Sequence, residues 1–223
     1  MTYVQSNYGA ANPSASQGVT LTTDVAVGDL IVVSWRTGNA ITGLSDNLGN
    51  SYTAQNDDGL ANTFGTHYSV VTTGGSCTVT VTQSSGRIGV AVHHYSGNDA
   101  APADNDTIVN AGTATSSASP SFTTSVADGV VVSPWGGSTT PTPDADYGGA
   151  TLQGNGTGRL YTAHRLFTST LTGDTADWTH ANTGYTVKAV SFKSAAGGAT
   201  TRGNPFNAGN AFNGGRTFAG ILR

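Results

Sequence analysis

The sequence predicts an all-β protein: an antiparallel two-sheet β-sandwich, jelly-roll-like, with an internal pseudo-duplication and an extended C-terminal tail. Three observations carry this expectation. The straight-chain helix formers are nearly absent, since all 13 acidic residues are Asp, Met occurs once and Lys only at Lys188 and Lys193. Thr is the commonest residue, ahead of 31 Gly; Thr fits a pleated half-buried surface, while Gly and Asp fit turns. Short alternating or apolar runs recur between clusters of Gly, Asn, Asp and Pro.

In chain order these runs predict strands over 19–23, 29–35, 41–45, 51–54, 64–71, 76–82, 87–95, 121–124, 130–135, 159–167, 175–178 and 185–193. Between the third and fourth, Asp46-Asn-Leu-Gly-Asn50 places Asn and Gly where a hairpin connection needs positive φ. Strands this close together leave no room for crossover helices, so antiparallel pairing follows.

The duplication is read from two sets of matches. Leu21-Thr-Thr-Asp-Val-Ala26 matches Phe122-Thr-Thr-Ser-Val-Ala127, and Asp29-Leu-Ile-Val-Val-Ser-Trp35 matches Gly129-Val-Val-Val-Ser-Pro-Trp135. Later in each half, Phe64, His67, Ile88, Val90 and Tyr95 fall opposite Tyr161, His164, Tyr185, Val187 and Phe192 at an offset of 97. The expectation is two half-sandwiches, neither able to bury its apolar face alone, closing over one shared interior. Residues 1–194 then form one domain; the rival reading splits two independent domains near 103–119, each with a thin apolar set.

After Lys193 the composition changes to a Gly/Ala/Thr linker over 195–203 and then to a tail over 204–223. The tail repeats degenerately as Asn204-Pro-Phe-Asn-Ala-Gly, Asn210-Ala-Phe-Asn-Gly-Gly and Arg216-Thr-Phe-Ala-Gly-Ile. Six is an even step, so in an extended chain Phe206, Phe212 and Phe218 point the same way. Residues 195–223 carry Arg202, Arg216 and Arg223 and no acidic side chain, whereas 1–194 holds 6 basic and 13 acidic residues. This predicts an anchor that docks on an acidic neighbour, with Phe206, Phe212, Phe218, Arg216, Ile221 and Leu222 as the partner-interface residues. The plainer reading is a solubilising linker end.

A tenth of the residues are charged and the net charge is −4, so no basic face for nucleic acid is expected. The single cysteine, Cys77, excludes an intramolecular disulfide; its alternating run predicts a small buried side chain rather than a nucleophile. Met-Thr-Tyr-Val-Gln-Ser-Asn-Tyr has neither a basic nor an apolar leader segment, and no run approaches a membrane span. Release by cell lysis fits such a chain.

No catalytic motif emerges. His93 and His94 are adjacent in a strand and point to opposite faces, His67 and His164 read as repeat equivalents, and His180 sits near a turn. There is no HExxH, no His-x-His and no Gly-x-Ser-x-Gly, so the sequence predicts no enzyme, no cofactor and no structural metal. Asn56-Asp-Asp-Gly59, Asp104-Asn-Asp106 and Asp144-Ala-Asp146 are candidates for calcium, yet the same residues are ordinary turn formers. Trp35 and Trp135 read as core or rim residues. Trp178 alternates with polar neighbours and is the expected exposed ring, hence the candidate glycan contact.

Gly28-Asp-Leu-Ile-Val-Val-Ser-Trp35, Ile41-Thr-Gly-Leu-Ser-Asp-Asn-Leu-Gly-Asn-Ser-Tyr-Thr53, Cys77-Thr-Val-Thr-Val-Thr82 and Val90-Ala-Val-His-His-Tyr-Ser-Gly97 together resemble a widespread β-sandwich module. That module occurs in bacterial surface proteins and in structural proteins of tailed bacteriophages. The resemblance covers 1–194 and implies a scaffold without catalytic residues. The expectation this implies is a structural bacteriophage virion protein, a minor tail or tail-tip component or a capsid decoration protein, located in the virion and assembled in the host cytoplasm. Its partners would be other virion proteins and copies of itself, with adhesion to host-surface glycan as the alternative function. A secreted hydrolase or its accessory module is the third reading.

Overall fold

The computed structural model describes residues 1–55, 63–147, 152–153 and 159–195. The protein is all-β: two antiparallel sheets pack against each other, and each sheet is built from one half of the chain. The first half supplies β1 (Thr2–Thr20), β2 (Leu30–Thr37), β3 (Ile41–Asp46), β4 (Thr53–Gln55), β5 (Phe64–Val70) and β6 (Thr78–Ser96). The second supplies β7 (Asn98–Asp106), β8 (Asn110–Ala118), β9 (Gly129–Gly137), β10 (Thr142–Pro143), β11 (Leu152–Gln153), β12 (Leu160–Phe167), β13 (Asp177–Val187) and β14 (Val190–Ser194).

The first sheet runs β1-β6-β2-β5-β4, with β3 also on β6. The second runs β10-β13-β9-β12-β11, with β14 between β7 and β9 and β8 on β13. The orders correspond: β2 matches β9, β5 matches β12, β4 matches β11, the long β6 matches β13 plus β14, and the long β1 matches β8 plus β7. Register makes the match concrete. Trp35 lies opposite Val90 and Leu30 opposite Tyr95, just as Trp135 lies opposite Val187 and Val130 opposite Phe192.

Two of the five later matches shift by one residue. His67 lies opposite Val33, whereas His164 lies opposite Val132; likewise Phe64 lies opposite Arg36 and Tyr161 opposite Trp135. One step in a strand exchanges the faces. His67 therefore turns toward Trp35 inside the first half, with Trp35 Nε1 donating to its Nδ1 at 3.2 Å, while His164 turns toward the other half. The expected equivalence of these histidines, and of Phe64 with Tyr161, is corrected.

Packing is finer than one shared interior. β6 pairs with β3 and the end of β1 over its first residues, then with β2 and the start of β1 beyond Gly86. Both arms contribute to a cluster that includes Val19, Ile31, Val33, Trp35, Val79, Val81, Ile88, Val90 and Val92. The second half has its own cluster around Val131, Trp135, Tyr147, Ala163, Phe167, Trp178 and Val187. A third joins the halves through Leu30, Val32 and Tyr95 on one side and Val130, Val132, Val190 and Phe192 on the other. This explains why Leu30-Ile-Val-Val-Ser-Trp35 is buried on both faces: odd residues face their own half, and Leu30 and Val32 face the neighbour. Each half thus buries apolar side chains of its own, contrary to the expectation.

The Ser-Asp-Asn-Leu-Gly-Asn-Ser-Tyr-Thr segment is a staple between strands rather than a hairpin, because β3 pairs with β6 while β4 pairs with β5. Gly49 has the positive φ (77°) that the turn requires. The Asp46 carboxylate accepts from the amides of Leu48 (2.9 Å) and Asn50 (3.1 Å), from Asn50 Nδ2 (3.0 Å) and from the Tyr52 hydroxyl (2.9 Å). Asn50 Oδ1 in turn accepts from the amides of Thr72 (2.8 Å) and Thr73 (2.9 Å). Burial pushes the Asp46 pKa up, but the hydrogen bonds from Asn50, Tyr52 and Leu48 outweigh it and hold the carboxyl below its usual range. Cys77 is buried beside this carboxylate, and burial together with Asp46 raises its thiol to about 11, so it is inert at neutral pH.

Candidate functional site

Trp178 is not the exposed ring that the alternation predicts. It is 1% exposed, its Nε1 donates to Ser133 Oγ at 3.0 Å, and it packs near Trp135. The cause is that its face of β13 is turned inward, where the ring joins Trp135, Ala163 and Val187 in the second half's core. A glycan cannot reach it there. The partner-interface residues Phe206, Phe212, Arg216, Phe218, Ile221 and Leu222 lie outside the described residues, as does the Asn56-Asp-Asp-Gly59 cluster.

The other Asp clusters bind protein. Asp104 accepts from the Ser125 amide at 3.1 Å and from Ser191 Oγ at 3.2 Å, Asp106 pairs with Lys188 Nζ at 3.3 Å, and Asp146 pairs with Arg165 at 3.2 Å. No group of three or more His, Cys, Asp or Glu able to hold a metal ion occurs among the described residues. No helix there is long and apolar enough to cross a membrane.

The histidines form the polar part of the junction between the halves. From β6, His93 Nε2 and Thr162 Oγ1 of β12 share a hydrogen bond of 2.9 Å, and the Tyr95 hydroxyl and His164 Nδ1 share another of 2.9 Å. Tyr3 closes the cluster edge-on, its ring centroid 4.7 Å from that of His164. Both histidines are buried, His93 completely, and His93 Nδ1 has no hydrogen-bond partner. Burial pushes His93 down to about 3, helped by His164 nearby, and His164 down to about 4. Both are therefore neutral imidazoles at neutral pH. His94, on the opposite face, pairs with Asp29 at 2.6 Å. Lys188, fully buried, crosses the junction to donate to the Gln55 carbonyl at 2.6 Å.

A second junction feature has a different character. Arg36 extends from the end of β2 toward the second half, where its Nη1 donates to the carbonyls of Gly137 (3.2 Å) and Arg159 (2.9 Å). Its equivalent by the Trp35/Trp135 match is Gly136, and a Cβ on Gly136 would lie 2.8 Å from Arg36 Cδ. The missing side chain in one repeat makes room for the arginine of the other. Arg36 and Arg159 line an open cleft of about 380 Å³ together with Ser138, Thr183, Tyr185 and Thr186. Burial first, then the charges of Arg159 and Arg87, lower Arg36 to about 10. It remains a cation at neutral pH.

Sequence reasoning did not find this cleft, since Arg36 and Arg159 are far apart in the chain, as is Arg87, whose charge also acts on Arg36. The available signal was Arg36 itself, the one charged residue ending an otherwise buried strand, opposite a Gly-Gly pair in the second repeat. No protein-family model matches the chain, and neither a curated protein nor a solved structure matches it.

Proposed function

We propose that this chain is a non-enzymatic structural component of a bacteriophage virion, a minor tail, tail-tip or capsid decoration protein, docked through residues 204–223 and projecting its β-sandwich. The observation that carries this reading is where the chemistry-bearing side chains are spent. His93, His94, His164 and Lys188 bridge strands or halves, Cys77 is buried as an inert thiol, and Trp35, Trp135 and Trp178 fill cores. Such a molecule offers a stable shape more than a reaction. The resemblance to phage and bacterial-surface modules, and the evenly spaced aromatic rings of the tail, supply the assembly context.

The last described strand supports an anchor of this kind. β14 is held on one side by β9 and on the other by β7, and the Ala195 amide donates to the Gly97 carbonyl at 2.8 Å. Any force on the following residues is passed into a paired strand. Deleting residues 199–223 tests the reading. Loss of incorporation into particles with unchanged sandwich unfolding is the expected result, and normal incorporation refutes the anchor.

A further inference from the structure

We propose that the cleft between the halves, lined by Arg36 and Arg159, binds an acidic sugar through its carboxylate or sulfate group. The site belongs to residues 1–194 and goes beyond the docking role, so it stands or falls separately from the tail.

The first argument is charge. Residues 1–194 contain four arginines, and three of them, Arg36, Arg87 and Arg159, are close enough for Arg159 and Arg87 to act electrostatically on Arg36. The fourth, Arg165, shows how this chain neutralises a guanidinium that it needs only for structure: Asp174 sits at 2.8 Å and Asp146 at 3.2 Å. Arg36, Arg87 and Arg159 form no ion pair with any carboxylate among the described residues. Arg87 Nε is moreover buried without a hydrogen-bond partner. Like charges gathered in a partly desolvated place cost free energy, and an oxyanion recovers that cost by charge-assisted, often bidentate hydrogen bonds.

The second argument is the lining. The carbonyls of Gly137 and Arg159 fix Arg36 through Nη1 alone, which leaves its other donors for a ligand. Around it stand the hydroxyls of Ser138, Thr183 and Thr186 and the half-buried ring of Tyr185. Ser138 and Thr183 hydrogen-bond to each other, and Thr186 Oγ1 donates to the Gly136 carbonyl at 3.3 Å, so the hydroxyl rows are held by the two strands that form the wall. Hydroxyls, one aromatic ring, the fixed guanidinium of Arg36 and the second cation of Arg159 match a sugar that carries hydroxyls, an apolar ring face and an anion. Among the described residues no large aliphatic side chain lines the cleft to receive a peptide side chain.

Arg159 is the residue to substitute. Its backbone has φ of 54°, in the left-handed region, and its carbonyl already serves Arg36. Asn tolerates that conformation, so Arg159→Asn removes the cation and keeps the backbone conformation. Arg87→Gln provides the second variant. The full chain is titrated at low salt with oligoglucuronate, a sulfated dextran, neutral dextran and inorganic sulfate, following backbone amides by NMR. Binding of oligoglucuronate or of the sulfated polymer, with shifts centred on Thr183, Tyr185 and Thr186 and weakened at least tenfold in both variants, is the expected result; which polymer binds more tightly identifies the acidic group. Binding no stronger than that of neutral dextran, equal binding by folded Arg159→Asn, or inorganic sulfate binding as tightly as the sugars would each overturn the proposal.

Discussion

The interior of each half and the junction between the halves are both buried, yet they are built from different materials. The two half-cores are assembled from Val, Ile, Leu and aromatic side chains, with tryptophan Nε1 groups satisfied by a nearby hydroxyl or imidazole. The junction mixes Leu30, Val32, Val130, Val132 and Phe192 with His93, His164, Thr162 and Lys188. Apolar contacts hold either region equally well, but only directional hydrogen bonds distinguish one mutual placement of two similar sheets from another. The difference teaches that a duplicated chain needs stability within its repeats and specificity between them.

The largest expected effect lies in a half-core. Trp178→Ala removes a fully buried indole and leaves the Ser133 hydroxyl without its donor, so unfolding by denaturant should show a loss of about 3–5 kcal/mol. An unchanged midpoint would mean that the ring is not packed as described. At the junction, Lys188→Ala removes the buried cation that pairs with Asp106 and donates to the Gln55 carbonyl, and a loss of about 3 kcal/mol is expected. Lys188→Met, which keeps volume and drops charge, should cost less than that only if Asp106 is also replaced by Asn.

The smallest effect, counted per histidine and per pH unit, separates the regions by pH. His93 and His164 have lowered pKa values in the folded state, so the unfolded chain binds protons first as pH falls below about 6.5. Their contribution is complete above that pH and is lost on acidification, down to about pH 4 for His164 and about pH 3 for His93, by up to about 1.4 kcal/mol per pH unit for each histidine. Asp46, held below its usual range, adds a loss in the same direction at lower pH. His164→Asn should flatten the slope between pH 6.5 and 4 by roughly one histidine's share, whereas Trp178→Ala should lower stability without changing it. Equal slopes for wild type and His164→Asn would place the acid sensitivity elsewhere.

The fold was legible where strands are apolar. The expected strands at 29–35, 41–45, 64–71 and 159–167 coincide with β2, β3, β5 and β12 to within a residue or two. β7, β8 and most of β1 were missed because Asn, Asp and Ala dominate β7 and Ser, Asn, Ala and Gly weigh heavily in the other two: they are half-exposed strands whose pairing comes from backbone hydrogen bonds rather than from an apolar face. Gln83-Ser-Ser-Gly86 read as a break between strands. In the structure β6 runs through it, with Gly86 at φ 142° and the Gln83 side chain donating to the carbonyls of Ser14 and Arg87. The expected strand at 121–124 is reduced to a single bridge between Phe122 and Asp174.

The sites were less legible for a geometrical reason. Alternation places a side chain on a face but does not say whether that face is solvent, core or a second sheet, and this is why Trp178 was assigned outward and His67 and His164 were made equivalent. The arginine cleft depends on a break in the internal symmetry, Arg36 against Gly136, which a search for similarity passes over.

Histidine side-chain NMR across a pH series measures the buried polar junction most directly. His93 and His164 should keep the neutral imidazole signature down to about pH 4, or until the chain unfolds. Reversible protonation of either ring near pH 6.5 in the folded protein would mean that water reaches the space between the halves, and the closed junction described for this molecule would be wrong.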